Sequence, residues 1–268
     1  MANDTLPMPR QAITASADDS QPEAAPPLSF GERAIDHAFN GGLSRRGVHE
    51  IYAPSSAHTG AATGFAATLA ARASGLRPIL WVRQDFLDTE AGGLNASGLA
   101  ELGLDPRRII LVRTRDAEGA LRAGEQAARC GSLGAVLIEP WGEPKILDFT
   151  ASRRLSLASG KSGVPILLLR TAAAPSHSAA MTRWSVRAAQ SQALEANAPG
   201  FPAFELTLLR HRGGTAGQTW CVEWNRDGKC FQSHQRSGAA PLSRPVVSIP
   251  PGRPAEMGAA LQKFRRTG

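Results

Sequence analysis

The sequence predicts an open, mostly parallel α/β sheet with helices on both faces and an antiparallel hairpin at one edge. Three observations predict it: apolar runs of strand length alternate with helix-length patterns, most of these runs are apolar on consecutive residues, and two alternating runs near the end flank a glycine-rich turn. Parallel neighbours need crossover helices, and strands that are apolar on both sides need cover on both faces. We therefore expect one layered α/β domain.

The alternation extends over residues 48–170. The predicted strands are VHEIY (48–52), PILWV (78–82), RIILV (108–112), GAVLIE (134–139) and VPILLLR (164–170). The predicted helices between them cover residues 64–75, 94–103, 117–131 and 145–160. The runs FELTLLRHR (204–212) and QTWCVEWN (218–225) flank the turn GGTAG and form the predicted hairpin.

Composition limits the domain organisation and the function classes. A chain of 268 residues with 42% hydrophobic residues is long enough for one substantial core. Residues 1–27 and 233–268 are rich in proline, alanine and polar residues, so we predict disordered ends around a body of residues 28–232. The start has no secretory signal pattern and no apolar run reaches membrane-spanning length, which favours the cytoplasm and no membrane partner. The three cysteines have no metal-ligand spacing, so no metal site is expected.

The net charge of +7 is concentrated toward the end of the chain. From Arg226 onward there are eight basic residues against two acidic ones. A basic tail attracts phosphate-bearing or acidic partners, so DNA binding through the tail is one interpretation. A solvated tail without a specific partner is the alternative.

The stretch EIYAPSSAHTGAATGF (50–65) has the position and composition of a phosphate-binding loop that opens a helix. The motif G-x-x-x-x-G-K-[ST] uses backbone N–H groups, a lysine and a hydroxyl that binds Mg²⁺. In one register Ala53 and His58 stand at the glycines, Thr59 at the lysine and Gly60 at the hydroxyl. In the other register Ser55 and Gly60 stand at the glycines, and an alanine follows. Both registers lack the lysine.

No nearby residue replaces that cation, because the first lysine of the chain is Lys145. Free histidine is mostly neutral at pH 7, so His58 is a poor substitute. A lost charge-assisted hydrogen bond to phosphate costs roughly 1.5 to 3 kcal/mol in binding, and the transition state for phosphoryl transfer loses more. We expect no catalytic residue and no cofactor, with weak ATP binding through backbone N–H groups as the alternative.

Five segments carry a resemblance to the RecA family. LSFGERAIDHAFNGGLSRRGVHEIYAP (28–54) resembles its entry segment of short helix, Gly-Gly turn and strand. ILWVRQDF (79–86) resembles the next core strand, which implies that Asp85 is at or near the catalytic glutamate position. GAVLIEP (134–140) resembles the Walker B strand, with Glu139 at the Mg²⁺-binding position. PILLLRT (165–171) and TRWSVRAAQS (182–191) resemble the strands around the DNA-binding loop.

A RecA-like frame with degraded nucleotide motifs is similar to the ImuA family, the RecA-like accessory proteins of inducible-mutagenesis cassettes, and to the related SulA-type division inhibitors. The basic tail and RRLSLAS (153–159) favour ImuA. The resemblance implies a non-enzymatic factor of damage-induced, error-prone translesion synthesis. Its implied partners are an ImuB-type inactive Y-family polymerase homologue, an error-prone DNA polymerase and RecA. An active RecA-like DNA-stimulated ATPase and a SulA-like inhibitor are the alternatives.

Seven basic or aromatic residues are candidate contacts for DNA or a partner: Arg153, Arg154, Arg183, Trp184, Arg187, Arg265 and Arg266. The first two are adjacent on a predicted helix and point about 100° apart, so at least one is exposed. The next three flank the end of the implied DNA loop, where stacking and phosphate contacts suit single-stranded DNA. The alternative for Trp184 is a place in the core.

Overall fold

The computed structural model describes residues 26–234, apart from the side chain of residue 197. The predicted segments 1–27 and 233–268 lie almost wholly outside the described residues, and so do the candidates Arg265 and Arg266. In the described part, no helix has the length and apolar character needed to cross a membrane.

A nine-stranded mixed sheet runs through residues 26–234. Its strands are β1 (Val48–Tyr52), β2 (Ile79–Gln84), β3 (Ile109–Thr114), β4 (Ala135–Glu139), β5 (Ile166–Arg170), β6 (Thr182–Ala188), β7 (Ala203–His211), β8 (Thr219–Asn225) and β9 (Cys230–Ser233). Their order across the sheet is β3-β2-β4-β5-β1-β6-β7-β8-β9. Neighbours are parallel from β3 to β6 and antiparallel from β6 to β9. The predicted mostly parallel sheet with a terminal antiparallel hairpin is confirmed.

Helices cover both faces of this sheet, as predicted. They are α1 (Arg33–Ala38), α2 (Thr59–Ser74), α3 (Leu87–Glu90), α4 (Ala96–Glu101), α5 (Ala117–Ala128) and α6 (Phe149–Ser162). Helix α2 packs over β4, β5 and β6 on one face, while α5 and α6 pack on each other and cover the other face. The alternation of buried side chains along the strands supplies both cores.

The helix boundaries that differ most from the prediction are the starts of α6 and α2. The helix predicted at 145–160 begins at Phe149, because the carboxylate of Asp148 accepts a hydrogen bond from the Ala151 N–H at 2.7 Å and caps it. The helix predicted from residue 64 begins at Thr59, directly after a 3₁₀ turn over Ser56–His58. Strand β9, which pairs with β8, was not predicted.

An aromatic cluster holds the antiparallel strands to the rest of the domain. Phe30 lies 5.7 Å from Trp184 and 5.8 Å from Phe231, measured between ring centroids. The Phe231 N–H also donates to the Phe30 carbonyl at 2.9 Å. Trp184 is fully buried in this cluster, so the prediction that it contacts DNA is wrong and its core alternative holds. Aromatic pairs of this kind contribute about 0.5–1.5 kcal/mol each beyond their buried area.

Candidate functional site at the carboxyl ends of the parallel strands

The loop between β1 and α2 has the length of a phosphate-binding loop. Strand β1 ends at Tyr52 and α2 begins at Thr59, so residues 53–58 match the six positions of G-x-x-x-x-G. This spacing fits the register in which Ala53 and His58 stand at the glycines and Thr59 at the lysine. Ser55 and Gly60 then fall on a variable position and on the hydroxyl position.

The backbone of this loop does not form a phosphate cradle. The His58 N–H donates to the Ser55 carbonyl at 3.0 Å, and the Thr59 N–H donates to the Ser56 carbonyl. No residue from 53 to 60 has a positive φ, whereas a cradle of converging N–H groups alternates right- and left-handed conformations. The ring of His58 is also engaged, because its Nδ1 accepts the Ala188 N–H at 3.2 Å.

A cavity of about 590 Å³ lies beside the loop. It is lined by Tyr52, Ala53, Pro54, Ser55, Ser56, Thr59, Trp141, Ala172, Ala173, Ala174, Pro175, Ser185 and Leu209. None of these described lining residues carries a charge at neutral pH. A nucleoside triphosphate needs cations or converging N–H groups around its phosphates, so the side chains here do not fit that ligand.

Glu139, the acidic residue at the end of β4, is buried and already paired. Arg83 Nε donates to its Oε2 at 2.6 Å, and Trp81 Nε1 donates to the same oxygen at 3.1 Å. Arg83 Nη2 lies 3.4 Å from Oε1. Burial raises the pKa of Glu139, and Arg83 and Trp81 offset part of that rise. The carboxylate is held in this buried pair and does not line the cavity beside the loop, so Glu139 is not placed to hold Mg²⁺ there.

Arg83 is the residue of this site that sequence reasoning missed. Besides Glu139, it contacts Asp88 Oδ1 at 2.9 Å and the Gly92 carbonyl at 3.1 Å. Arg83 and Glu139 are direct partners in the register of β2 and β4. The available signal was an arginine inside the apolar run ILWVRQ, which indicates a buried cation that needs an acidic partner.

Asp85 does not join this arrangement. Its side chain is exposed, and its backbone N–H donates to the Thr114 carbonyl at 2.8 Å. The described residues contain no group of three or more His, Cys, Asp or Glu side chains placed to hold a metal. The sequence-predicted acidic pair is therefore split between a buried ion pair and an exposed turn.

Two arginines flank the ring of Tyr52 next to the loop. Arg170 and Arg183 lie 5.5 and 5.8 Å from the ring centroid. Arg183 Nε donates to the buried Glu50 at 2.7 Å, and Arg170 Nη2 donates to the Gly142 carbonyl at 3.3 Å. Both side chains are buried and neither lines the described cavity. Arg183 is therefore corrected from a DNA contact to a structural residue.

The remaining candidate contacts that the structure describes are accessible. Arg153 and Arg154 are both exposed on α6, and Arg154 Nε lies 3.7 Å from Glu125 Oε2. Arg187 is exposed near the end of β6. These three stay predictions as contacts for DNA or a partner.

Comparisons with known proteins give one match in sequence and one in fold. No family model matches the chain. The chain is 34% identical over 219 residues to "Protein ImuA" of Caulobacter vibrioides strain NA1000 / CB15N. The aligned region covers 76% of this chain and 85% of that protein. The same values hold for "Protein ImuA" of strain ATCC 19089 / CIP 103742 / CB 15. The crystal structure of the RadB recombinase superposes on this chain with a TM-score of 0.53 and 14% sequence identity. The superposition covers 78% of this chain and 100% of that one, and it shows a RecA-like recombinase fold.

Proposed function

Because this chain belongs to the ImuA family, we propose that it is a non-enzymatic accessory factor of damage-induced, error-prone translesion DNA synthesis. In this role it works in the cytoplasm as part of SOS mutagenesis. It docks onto an ImuB-type inactive Y-family polymerase homologue and an error-prone DNA polymerase. RecA and, through the basic tail, DNA are further partners in the proposal.

The observation that carries the proposal is the chemistry at the carboxyl ends of the parallel strands. Phosphoryl transfer depends on cations that offset the charge of the phosphates and on a carboxylate free to hold Mg²⁺. Here the cavity beside the loop has an uncharged lining, and Arg83 and Trp81 occupy the carboxylate of Glu139. These contacts support a RecA-like frame that serves as a docking platform without ATP turnover.

ATP turnover and ATP binding test the proposal directly. We expect no phosphate release from Mg²⁺-ATP by the purified full-length protein, with or without single-stranded DNA. We also expect no thermal shift, whereas ATP at a hundred times its Kd would raise the Tm of a chain this size by roughly 5–10 °C. DNA-stimulated turnover that disappears in His58→Ala or Asp85→Ala would contradict the proposal.

Docking is tested by co-purification with a co-expressed ImuB-type protein. We expect the full-length chain to co-purify with it. A version lacking residues 236–268, which keeps β9 whole, tests whether the basic tail carries the contact, since loss of co-purification would assign docking to those residues. Failure of the full-length chain to co-purify would remove the proposed role even if ATP turnover is absent.

A further inference from the structure

Strand β3 is an open edge of the sheet. It pairs with β2 on one side, and no strand of residues 26–234 lies on its other side. The Thr114 carbonyl accepts a hydrogen bond from the N–H of Asp85, which follows β2, so the backbone groups of Thr114 point toward β2. Backbone groups alternate in direction along a parallel strand, so Leu111 and Arg113 present their N–H and C=O groups outward. These groups can pair with an added strand.

The side chains of β3 are unusual for an edge. Ile110 is 47% exposed and Leu111 is 39% exposed, and they lie on opposite faces of the sheet because they are consecutive. Edge strands are usually blunted by charged side chains, proline or a bulge. The sequence IILVRT has no lysine or proline, and its one charged residue, Arg113, is paired with Asp88 at 2.5 Å. A strand that is apolar on both faces is typical of the interior of a parallel sheet. At the opposite edge, by contrast, Phe231 of β9 is hydrogen-bonded to Phe30.

A basic cavity adjoins the start of β3. It has a volume of about 420 Å³, and its charged lining residues are Arg77, Arg107, Arg108, Lys229 and Asp105. Arg107 is highly accessible, with 89% of its side chain exposed. Four cations against one carboxylate attract an acidic group to this end of the strand.

We propose that the β3 edge binds an extended segment of a partner protein by strand addition. The segment carries β-branched or other apolar residues that cover Ile110 and Leu111, and acidic residues at the end that lies over Arg107 and Arg108. Backbone hydrogen bonds to Leu111 and Arg113 supply affinity, while the side chains and charges supply specificity. The inference rests on the proposed docking role, which requires a protein partner.

Charge favours an acidic partner over a second copy of this chain. Residues 105–116 contain four arginines and two aspartates, so pairing two copies through this edge would bring together two segments of the same net charge. Nucleic acid would also be attracted by the cations, but it gains nothing from two exposed aliphatic side chains on opposite faces of the sheet. An acidic protein strand can contact both the cations and these aliphatic side chains.

The probes are two fluorescein-labelled peptides: Asp-Glu-Val-Thr-Val-Thr-Val-Thr and a version with the two acidic residues at the other end. Together they test a parallel and an antiparallel added strand. The control peptides carry Lys-Lys in place of Asp-Glu. We expect one acidic peptide to bind at least about tenfold more tightly than its lysine counterpart. Hydrogen exchange should show new protection at the Leu111 and Arg113 amides of the full-length protein.

Variants of exposed residues locate the binding. Leu111→Lys should weaken binding of the acidic peptide by about tenfold, because lysine blocks an edge. Leu157→Lys is the matched control, since Leu157 is 56% exposed on α6, away from this edge. Arg107→Glu should weaken binding of the acidic peptide and strengthen binding of the lysine peptide, with Arg33→Glu, at an exposed position in α1, as its control.

The inference is overturned if Leu111→Lys binds the acidic peptide as the unchanged protein does, or if neither peptide protects the two amides. A concentration-dependent dimer that Leu111→Lys abolishes would also overturn it, because the occupant would then be a second copy. These outcomes are separate from the proposed function: ATP turnover would remove the docking factor proposal, while the peptide measurements would still report on the β3 edge.

Discussion

The guanidinium of Arg83 makes hydrogen bonds through Nε, Nη1 and Nη2, and they reach Glu139, Asp88 and the Gly92 carbonyl. Moving a cation and a carboxylate out of water costs several kcal/mol per ion, and only good geometry with further hydrogen bonds offsets that cost. Every nitrogen of the guanidinium has a partner, and Glu139 also accepts a hydrogen bond from Trp81. The pair therefore ties β2, β4 and the segment after β2 together, and Glu139 serves the fold.

Arg83→Met tests this structural role. The variant leaves the carboxylate of Glu139 buried without its cation, so we expect the free energy of unfolding to fall by about 3–5 kcal/mol. Urea unfolding followed by tryptophan fluorescence measures the loss. The double variant Arg83→Met with Glu139→Gln should recover part of it, because a neutral amide replaces the unpaired charge.

Arg113→Met is the matched control for Arg83→Met. Arg113 contacts the other oxygen of Asp88 at 2.5 Å, but 46% of its side chain is exposed. Solvent screens such a pair, and we expect a change of about 0–1 kcal/mol. Equal losses in the two arginine variants would contradict the assignment of the buried pair as the dominant contact.

At the scale of elements, the contact between α2 and the start of β4 depends on a glycine. A Cβ on Gly134 would lie 2.3 Å from Ser74 Cα at the end of α2, and backbone atoms cannot move aside without shifting the helix. Gly134→Ala should therefore destabilise the protein by about 1–3 kcal/mol in urea unfolding. Gly131→Ala is the control, because its Cβ meets nothing within 4 Å. A neutral Gly134→Ala would show that α2 has room to move.

Strands β2 to β5 could be predicted because each is a short run that is largely apolar on both sides. Strand β9 could not, since CFQS has one fully buried apolar residue, Phe231, and its place depends on pairing with β8 and on Phe30. The first turn of α2 also gave no clear signal. Its segment TGAATG contains glycine and threonine, which are weak helix formers, so packing and not propensity sets its start.

The candidate site was predictable where it is local in sequence. The missing lysine is visible within the loop itself. The pairing of Glu139 with Arg83 joins residues that are 56 positions apart and depends on the register of β2 and β4. The orientation of β6 could not be predicted from the sequence either, and it places Trp184 in the core and Arg183 against Glu50. The register between distant strands determines these contacts, and a local motif does not contain that information.

At the scale of the whole molecule, His49 joins β1, β6 and the segment before β1 in one buried network. The Ser44 carbonyl can only accept, so His49 Nε2–H donates to it at 2.8 Å. Nδ1 then accepts the Thr182 hydroxyl at 2.7 Å, and that oxygen accepts Trp184 Nε1–H at 2.8 Å. A neutral ring satisfies every member of the network. Burial lowers the pKa of His49 from 6.5 to about 4, with a smaller contribution from His211 and an opposing one from the bond to Ser44.

This network predicts acid sensitivity of global unfolding. Between pH 6.5 and 4 the unfolded chain binds a proton at His49 that the folded chain does not, so stability is complete above pH 6.5 and falls as the pH drops toward 4. A shift from 6.5 to about 4 corresponds to about 3 kcal/mol.

Urea unfolding at pH 7.5 and 4.5 should show a smaller loss of unfolding free energy in His49→Gln than in the unchanged protein. His37→Gln, at an exposed position in α1, should keep the full loss. The raised pKa of Glu139 acts in the opposite sense, but it is common to all three proteins and cancels in the comparison. An unchanged pH dependence in His49→Gln would assign the acid sensitivity to other groups.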